Sequence, residues 1–368
     1  MSDPTRRGLG LMLGAGALAA CATVPKTSPG LTAQGVLRPF RVSADRVTRV
    51  VVGLRPFRPS GFVVRAEALG DKRLVHNYGH GGSGITLSWG TAQLAADLAG
   101  PMAGQATAVI GCGVAGLTAA RILQQRGAAV TIYAEALPPF TTSNIAGGHW
   151  WPTTVFDSDA VDEAFRAQFH QAARLSYRYF QTQLGGPYGV SWRRSYTVFD
   201  ERREFGPFTQ ALADVAPEMA VLEPGQHPFG QAWVQRYDTM MIEPMVFLQA
   251  LLEDFMTAGG RVAVRRFESR EQVAALPERV VINCTGLGAG ALFGDDALTP
   301  VRGQLVVLLP QAECDYNLMS GATYIFPRSD GVVCGGTFER GQWSTEADPA
   351  TTTRILAGAA AAAARLQL

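Results

Sequence analysis

The chain has 368 residues, 47% of them hydrophobic, so it can bury a large core and is expected to form about two domains. A net charge of +1 leaves no electrostatic footprint for nucleic acid. The five cysteines form no C-x-x-C pair and no His/Cys cluster, so neither a disulfide framework nor a metal site is indicated.

The chain opens with Thr5-Arg6-Arg7-Gly8-Leu9, an apolar run over residues 11–20, and then Cys21 in the string L-A-A-C. The run is too short to cross a bilayer as a mature helix. Paired arginines before a modest apolar run resemble a twin-arginine export signal, and L-A-A-C resembles a lipoprotein cleavage box; a frayed apolar terminus is the plain alternative. Residues 1–35 are therefore expected to be an export signal followed by a Pro/Thr/Gly-rich tether. That implies a periplasmic or membrane-anchored protein with lipid on Cys21, the cytoplasm being the alternative. Cys112, Cys284 and Cys334 sit in apolar or glycine contexts typical of buried thiols, and Cys314 reads as a freer one.

Residues 47–54 are β-branched and strand-like. Prolines at 56 and 59 should end this ladder and present the Arg55 guanidinium at a strand end. That group either forks onto a carboxylate or makes a surface ion pair. Residues 74–86 then read L-V-H-N-Y-G-H-G-G-S-G-I-T, in which Gly81, Gly82, Ser83, Gly84, Ile85 and Thr86 lead into a helix expected over 87–98. Trp89, Leu94 and Leu98 should be its buried side. The turn is either a second anion-binding helix start or a plain loop.

Residues 107–135 read strand, glycine turn, helix, strand, acid. Gly111 permits a tight turn, Gly113 lets the backbone approach a pyrophosphate, and Gly116 lets the helix pack on the strand. Val114 and Ala115 carry the first free N–H groups of that helix, whose positive dipole end favours phosphates. Gly127 stops the helix, and Glu135 lies about 20 residues beyond the turn, where a carboxylate takes a ribose hydroxyl. A lone G-x-G-x-x-G is weak; with both strands, the helix and the acid it indicates dinucleotide binding.

Hydroxyls at Thr142 and Ser143 can satisfy phosphate oxygens, and Ala146, Gly147 and Gly148 leave room for a flat ring. His149 follows, read as a neutral structural histidine rather than an acid/base. A long amphipathic helix is expected over 159–184, then short strands with Trp192, Tyr196, Phe199 and Trp233 as core. A helix over 245–258 ends at Gly259-Gly260, and a strand over 262–264 should bring Phe267 near an adenine. Residues 280–283 form a buried strand aimed at Thr285-Gly286, and ligands collect at such carboxyl ends. Strands over 301–309 and 324–326 belong to a largely antiparallel second domain, and the alanines at 357–364 read as the start of a helix.

Leu54-Arg55-Pro56 and the H-N-Y-G-H-G-G-S-G-I-T run, with Asn283-Cys284-Thr285-Gly286, Tyr324-Ile325-Phe326-Pro327 and Gly335-Gly336-Thr337-Phe338, closely resemble the D-amino-acid oxidase family of flavoproteins. The resemblance covers nearly everything from Arg46 onward. It implies an α/β fold: a Rossmann-like FAD-binding domain with a parallel sheet, plus a largely antiparallel α+β substrate domain. In that family the G-L-R-P and H-G-G blocks follow the N-C-T-G strand, whereas here they precede the dinucleotide turn. A circular permutation is the simplest account, a misassembled gene its rival. The expected division is 1–35 signal and tether, 36–59 substrate domain, 60–155 FAD domain, 156–235 substrate domain, 236–296 FAD domain and 297–368 substrate domain.

The resemblance also implies roles. FAD lies across the dinucleotide turn; Arg55 and Tyr324 hold the substrate α-carboxylate, and the Gly82 carbonyl accepts from its amine. The Cα–H then faces flavin N5 for hydride transfer, giving an imino acid that hydrolyses to a 2-oxo acid and ammonia, with oxygen reduced to peroxide. The family's lid Tyr is Ser320 here, implying a shortened or altered lid. A D-amino acid and oxygen are thus the expected small-molecule partners, with a homodimer as a further expected partner. The alternatives kept open are a glycine or secondary-amine oxidase, a D-aspartate oxidase (for which His149 could supply positive charge), and a non-catalytic exported flavin-binding protein.

Overall fold

The computed structural model describes residues 37–367. The arginine pair, the apolar run and Cys21 lie outside the described residues.

In chain order the elements are β1 (Val47–Phe57), β2 (Val63–Leu69), β3 (Lys72–Tyr78), α1 (Gly84–Ala99), β4 (Ala106–Ile110), α2 (Val114–Gln125), β5 (Ala129–Ala134), α3 (Glu163–Gln181), β6 (Val190–Phe199), α4 (Pro207–Gln210), β7 (Ala220–Leu222), β8 (Trp233–Ile242), α5 (Pro244–Thr257), β9 (Arg261–Val264), α6 (Arg270–Ala274), β10 (Val280–Asn283), α7 (Gly288–Phe293), β11 (Thr299–Leu308), β12 (Tyr316–Ser320), β13 (Thr323–Arg328), β14 (Gly331–Gly335), β15 (Glu339–Arg340) and α8 (Pro349–Ala363).

Among the described residues these strands make two sheets. The six-stranded one runs β2-β3-β10-β4-β5-β9, parallel except for β2. Its central strands β10 and β4 are buried on both faces, because helices cover both. Val75, Val109, Ile132 and Ile282 pack with α1, α2, α3 and α5, while Leu74, Ala108, Ile110 and Val281 pack with α6 and α7. This is a doubly wound layer, and the β4–α2–β5 unit sits where the motif requires it.

The nine-stranded sheet runs β1-β11-β14-β13-β12-β6-β8-β7, with β15 beside β11. Its side chains alternate with the pleat. Val306, Leu308, Ile325 and Cys334 face α8, whereas Leu305, Val307, Phe326 and Val333 line the opposite face, toward the six-stranded sheet's segments.

Several elements differ from expectation. β1 does not stop at Arg55: Pro56 and Phe57 continue the ladder opposite Pro300 and Thr299. β1 is the sheet's edge, where a proline without an N–H removes no inward hydrogen bond. α1 begins at Gly84, earlier than residue 87, and Leu98 is 37% exposed rather than buried. α3 is shorter than 159–184, because the Asp162 side chain caps Phe165 N–H and starts the helix there. The alanines close α8 rather than open it; Asp348 caps it and Pro349 occupies its first position. Of the four expected aromatic core residues only Tyr196 is buried. Cys314 is not freer than the others: it is 3% exposed, beside the Arg38 carbonyl at 3.5 Å.

The chain passes between the sheets in long alternating segments, but the boundary expected at 235/236 falls inside β8, which carries the large sheet through Ile242. α3, assigned above to the substrate segment, packs on α1 with Phe169, Ala172 and Ala173 in the core of the parallel layer. Gly90 makes this possible: a Cβ there would lie closer than 3.0 Å to the Ala172 backbone, and its N–H donates to Ser176 Oγ at 2.7 Å.

Candidate active site

The loops at the carboxyl ends of β3, β4, β5 and β10 open into one cleft of about 1250 Å³, whose far wall is the Leu305/Phe326 face of the large sheet. Ligands gather at such ends because the following helices point their N-termini there.

At one end two helix starts lie side by side: a Cβ placed on Gly84 at the start of α1 would sit 3.9 Å from Val114 Cγ1 at the start of α2. Gly111 has φ +105 and no room for a side chain against the Cys284 carbonyl, and Gly116 is pressed against the Gly111 carbonyl. Gly116 thus shapes the turn from behind rather than lining the cleft. The Val114 N–H already takes an oxygen acceptor, Ser143 Oγ at 3.0 Å, which shows the demand of that helix end. Thr142 is exposed on the same segment, and Ala115 lines the cleft beside Val114.

Glu135 leaves β5 as an exposed carboxylate 3.6 Å from Arg266 Nη1. Phe267 is buried edge-on to Tyr133 at 5.9 Å, with the Arg265 guanidinium 4.5 Å over its ring. Thr285 is folded back onto Asn283, its Oγ1 donating to Asn283 Oδ1 at 2.7 Å. Gly81, Gly82, Ile85 and Thr86 line the cleft, but Ser83 does not: its hydroxyl is buried and donates to the Thr153 carbonyl.

Gly147 and Gly148 form the next edge. Gly148 has φ +92 and leaves no room for a Cβ against the Ile242 carbonyl. Arg328 steadies this strip by donating to the Ala146 carbonyl at 2.8 Å. His149 stacks on Phe326 at 4.9 Å and lies 3.2 Å from Ser195 Oγ. Burial pushes its ring down to about 4, so it is neutral near pH 7 and supplies no positive charge.

At the other end Arg55, Tyr324 and Gly82 converge. A Cβ on Gly82 would be 3.6 Å from Arg55 Cδ, and Arg55 Nη1 donates to the Thr337 carbonyl at 3.1 Å. The Tyr324 ring stacks on Phe326 at 4.5 Å; burial raises its phenol above the ordinary value, and the adjacent Arg55 guanidinium pulls it partly back. A neutral phenol and a fixed guanidinium facing one space are a donor set for a carboxylate. The expected lid is a tight β12–β13 hairpin, with Ser320 opposite Thr323 and Ala322 lining the cleft.

Two further residues were not singled out from sequence. Asn77 is fully buried at the end of β3, lines the cleft, and neither atom of its amide has a partner among the described residues. Thr154, at φ 56, holds the glycine loop by accepting from Gly82 N–H at 3.1 Å.

These features fit FAD. The paired helix starts and Ser143 suit a pyrophosphate, Glu135 a ribose, Phe267 an adenine, and the strip from Ala146 to His149, with the orphaned Asn77 amide, a polar-edged flat ring.

The family model for FAD-dependent oxidoreductases matches residues 11–98 and 106–366. A D-amino-acid oxidase of Rubrobacter xylanophilus is 33% identical over 273 residues, covering 70% of this chain and 77% of that protein. Human D-aspartate oxidase is 31% identical over 261 residues, covering 68% and 73%. Among solved structures, a Bacillus cereus glycine oxidase superposes with a TM-score of 0.54 over 69% of this chain and 77% of that one, at 16% identity. With a match over nearly the whole described chain and a cleft built for the cofactor, this protein belongs to the family of FAD-dependent oxidoreductases.

Proposed function

We propose that this enzyme oxidatively deaminates D-amino acids. The convergence of the Arg55 guanidinium, the Tyr324 phenol and Gly82 at one end of the cleft carries the reading, supported by the similarity to D-amino-acid oxidases. Arg55 takes the α-carboxylate through its forked donors and Tyr324 adds a second donor. The Gly82 carbonyl accepts from the amine and orients its nitrogen; the amine reacts in its neutral form, with its lone pair free. When bound, FAD supplies the two-electron acceptor. The protein's own contribution is orientation: three contacts fix two of the carbon's substituents, the carboxylate and the amine, and the space left for the side chain then decides which way the C–H points. The substrate loses that hydrogen and an amine proton, water hydrolyses the imino acid to a 2-oxo acid and ammonia, and oxygen leaves as hydrogen peroxide.

One observation favours a second reading, an acidic side chain such as D-aspartate. Arg354 on α8 lines the same cleft. His149, neutral as described, is not the source of that preference.

We also propose that the chain is a circular permutation of the family order. Leu37 and Phe40 pack into the same core cluster as Ala362, Ala363 and Leu366, so both ends of the described chain sit on the α8 side of the large sheet. The link between α1 and β4 is an ordinary turn, with Gly104 at φ +72 donating to the Gly127 carbonyl at 3.0 Å. Export with lipid on Cys21 is proposed from sequence alone; mass analysis of the membrane fraction tests it.

The deciding experiment is anaerobic addition of matched D- and L-amino acids to the purified yellow protein. Bleaching of the flavin bands by D-enantiomers alone is expected. Bands untouched by any amino acid would sink the reading.

A further inference from the structure

We propose that Gly303 and Gly335 are positioning residues: their missing side chains form two slots that bring the Arg55 guanidinium and the Tyr324 phenol to one point. The inference rests on the carboxylate reading above and goes beyond it in naming what sets the anchor's position.

Four neighbouring strands, β1-β11-β14-β13, make this part of the large sheet. Arg55 stands on β1 and Tyr324 on β13, with β11 and β14 between them. Gly303 of β11 pairs with Gly53, two residues from Arg55 on the same face of β1. Gly335 of β14 pairs with Tyr324 on one side and Leu305 of β11 on the other. Each long side chain leans inward over the glycine of the strand next to it. A Cβ on Gly303 would lie closer than 3.0 Å to Arg55 Nη1, Nη2 and Cζ; one on Gly335 would lie as close to Tyr324 Cζ, Cε2 and Oη.

Neither glycine is among those with φ in the left-handed region, so φ at neither position calls for glycine. A methyl on either would need the space above it. That space is filled by the two groups read as holding substrate. With a methyl at 303 the guanidinium must rise off the sheet, away from the Thr337 carbonyl that fixes Nη1. The two donors then no longer meet at the height of a single carboxylate.

The test uses the full chain with FAD bound. Benzoate, a carboxylate lacking an amine, is titrated by the change in the flavin spectrum, and KM and kcat are measured with D-alanine. Gly303→Ala and Gly335→Ala are expected to weaken benzoate at least tenfold and raise KM similarly, with smaller effects on kcat and no loss of flavin. In an Arg55→Ala background, Gly303→Ala should add no further loss of benzoate affinity, because the group it displaces is gone. Benzoate binding by Gly303→Ala equal to the unmodified protein would overturn the slots while leaving the anchor reading intact. Arg55→Ala with unchanged affinity would instead overturn the anchor reading, and the slots with it. Should Gly303→Ala not fold, the Arg55→Ala/Gly303→Ala double variant must; its failure to do so would also overturn the proposal.

Discussion

Removing Arg55 separates substrate anchoring from everything else in the cleft. The guanidinium is part-buried, donates one hydrogen bond through Nη1 to the Thr337 carbonyl, and lies 6.0 Å from the Phe338 ring. Arg55→Ala leaves that carbonyl able to take water, so its cost to folding should stay near 1 kcal/mol. A bound carboxylate loses its forked partner in a half-desolvated site, a loss of about 3–5 kcal/mol. At about 1.4 kcal/mol per tenfold, kcat/KM should fall roughly a hundred- to several-thousand-fold. Arg55→Lys keeps the charge without the planar fork and should fall between. Stopped-flow reduction by D-amino acids and thermal denaturation of the same preparations give the two numbers. A kcat/KM within threefold of the unmodified enzyme, with flavin still bound, would refute the anchoring role.

Other sites make independent predictions. Gly113→Val places a branched side chain where a bare Cβ is already 3.1 Å from Ser143 Oγ, at the start of α2; flavin affinity should fall at least tenfold, measured by flavin release on dilution. Gly90→Ala drives a methyl into the Ala172 backbone of α3, and overpacking of this kind costs about 1–3 kcal/mol or more, visible as a lowered Tm without a change in catalytic residues. His80 is 3% exposed, with Nε2 3.0 Å from Thr91 Oγ1, and burial pushes its pKa down to about 4. The unfolded chain binds this proton near pH 6.5 and the folded one only near 4, so stability is full above about 6.5 and is lost as pH falls between the two, by up to roughly 3 kcal/mol. Urea midpoints between about pH 7.5 and about pH 4.5 should show the loss, and His80→Asn should reduce it, leaving the loss of the same sign that buried His149 contributes; an unchanged slope would remove His80 as a source.

What could be read in the sequence was local. The β4–α2–β5 unit appears as expected because strand, glycine turn and helix signals there lie within one short stretch whose glycines each meet a specific backbone: Gly111 the Cys284 carbonyl, Gly116 the Gly111 carbonyl. The misread features depend on partners far along the chain. The proline after Arg55 looks like a ladder break until β1 is known to be an edge strand, and α3 looks like part of the substrate segment until Gly90 is seen to admit it onto α1. Orientation within a turn was equally hidden, as Ser83 shows by pointing at Thr153.

The same distinction explains why the anchor residues could be named before the groups that position them. Arg55 and Tyr324 belong to short strings whose chemistry is visible in the residues themselves. Gly303 and Gly335 carry no chemistry, and their backbone angles make no demand for glycine. Their meaning is a matter of register: Gly303 opposite Gly53, Gly335 opposite Tyr324, on strands separated by hundreds of residues in the first case and about ten in the second. A single-residue slip of β1 against β11 would place Arg302 or Gln304 opposite Gly53 and turn Arg55 to the other face of the sheet, away from the cleft. The proposed carboxylate site is therefore a property of strand pairing. Substitutions that leave every donor in place but disturb that register should abolish it as completely as removing Arg55.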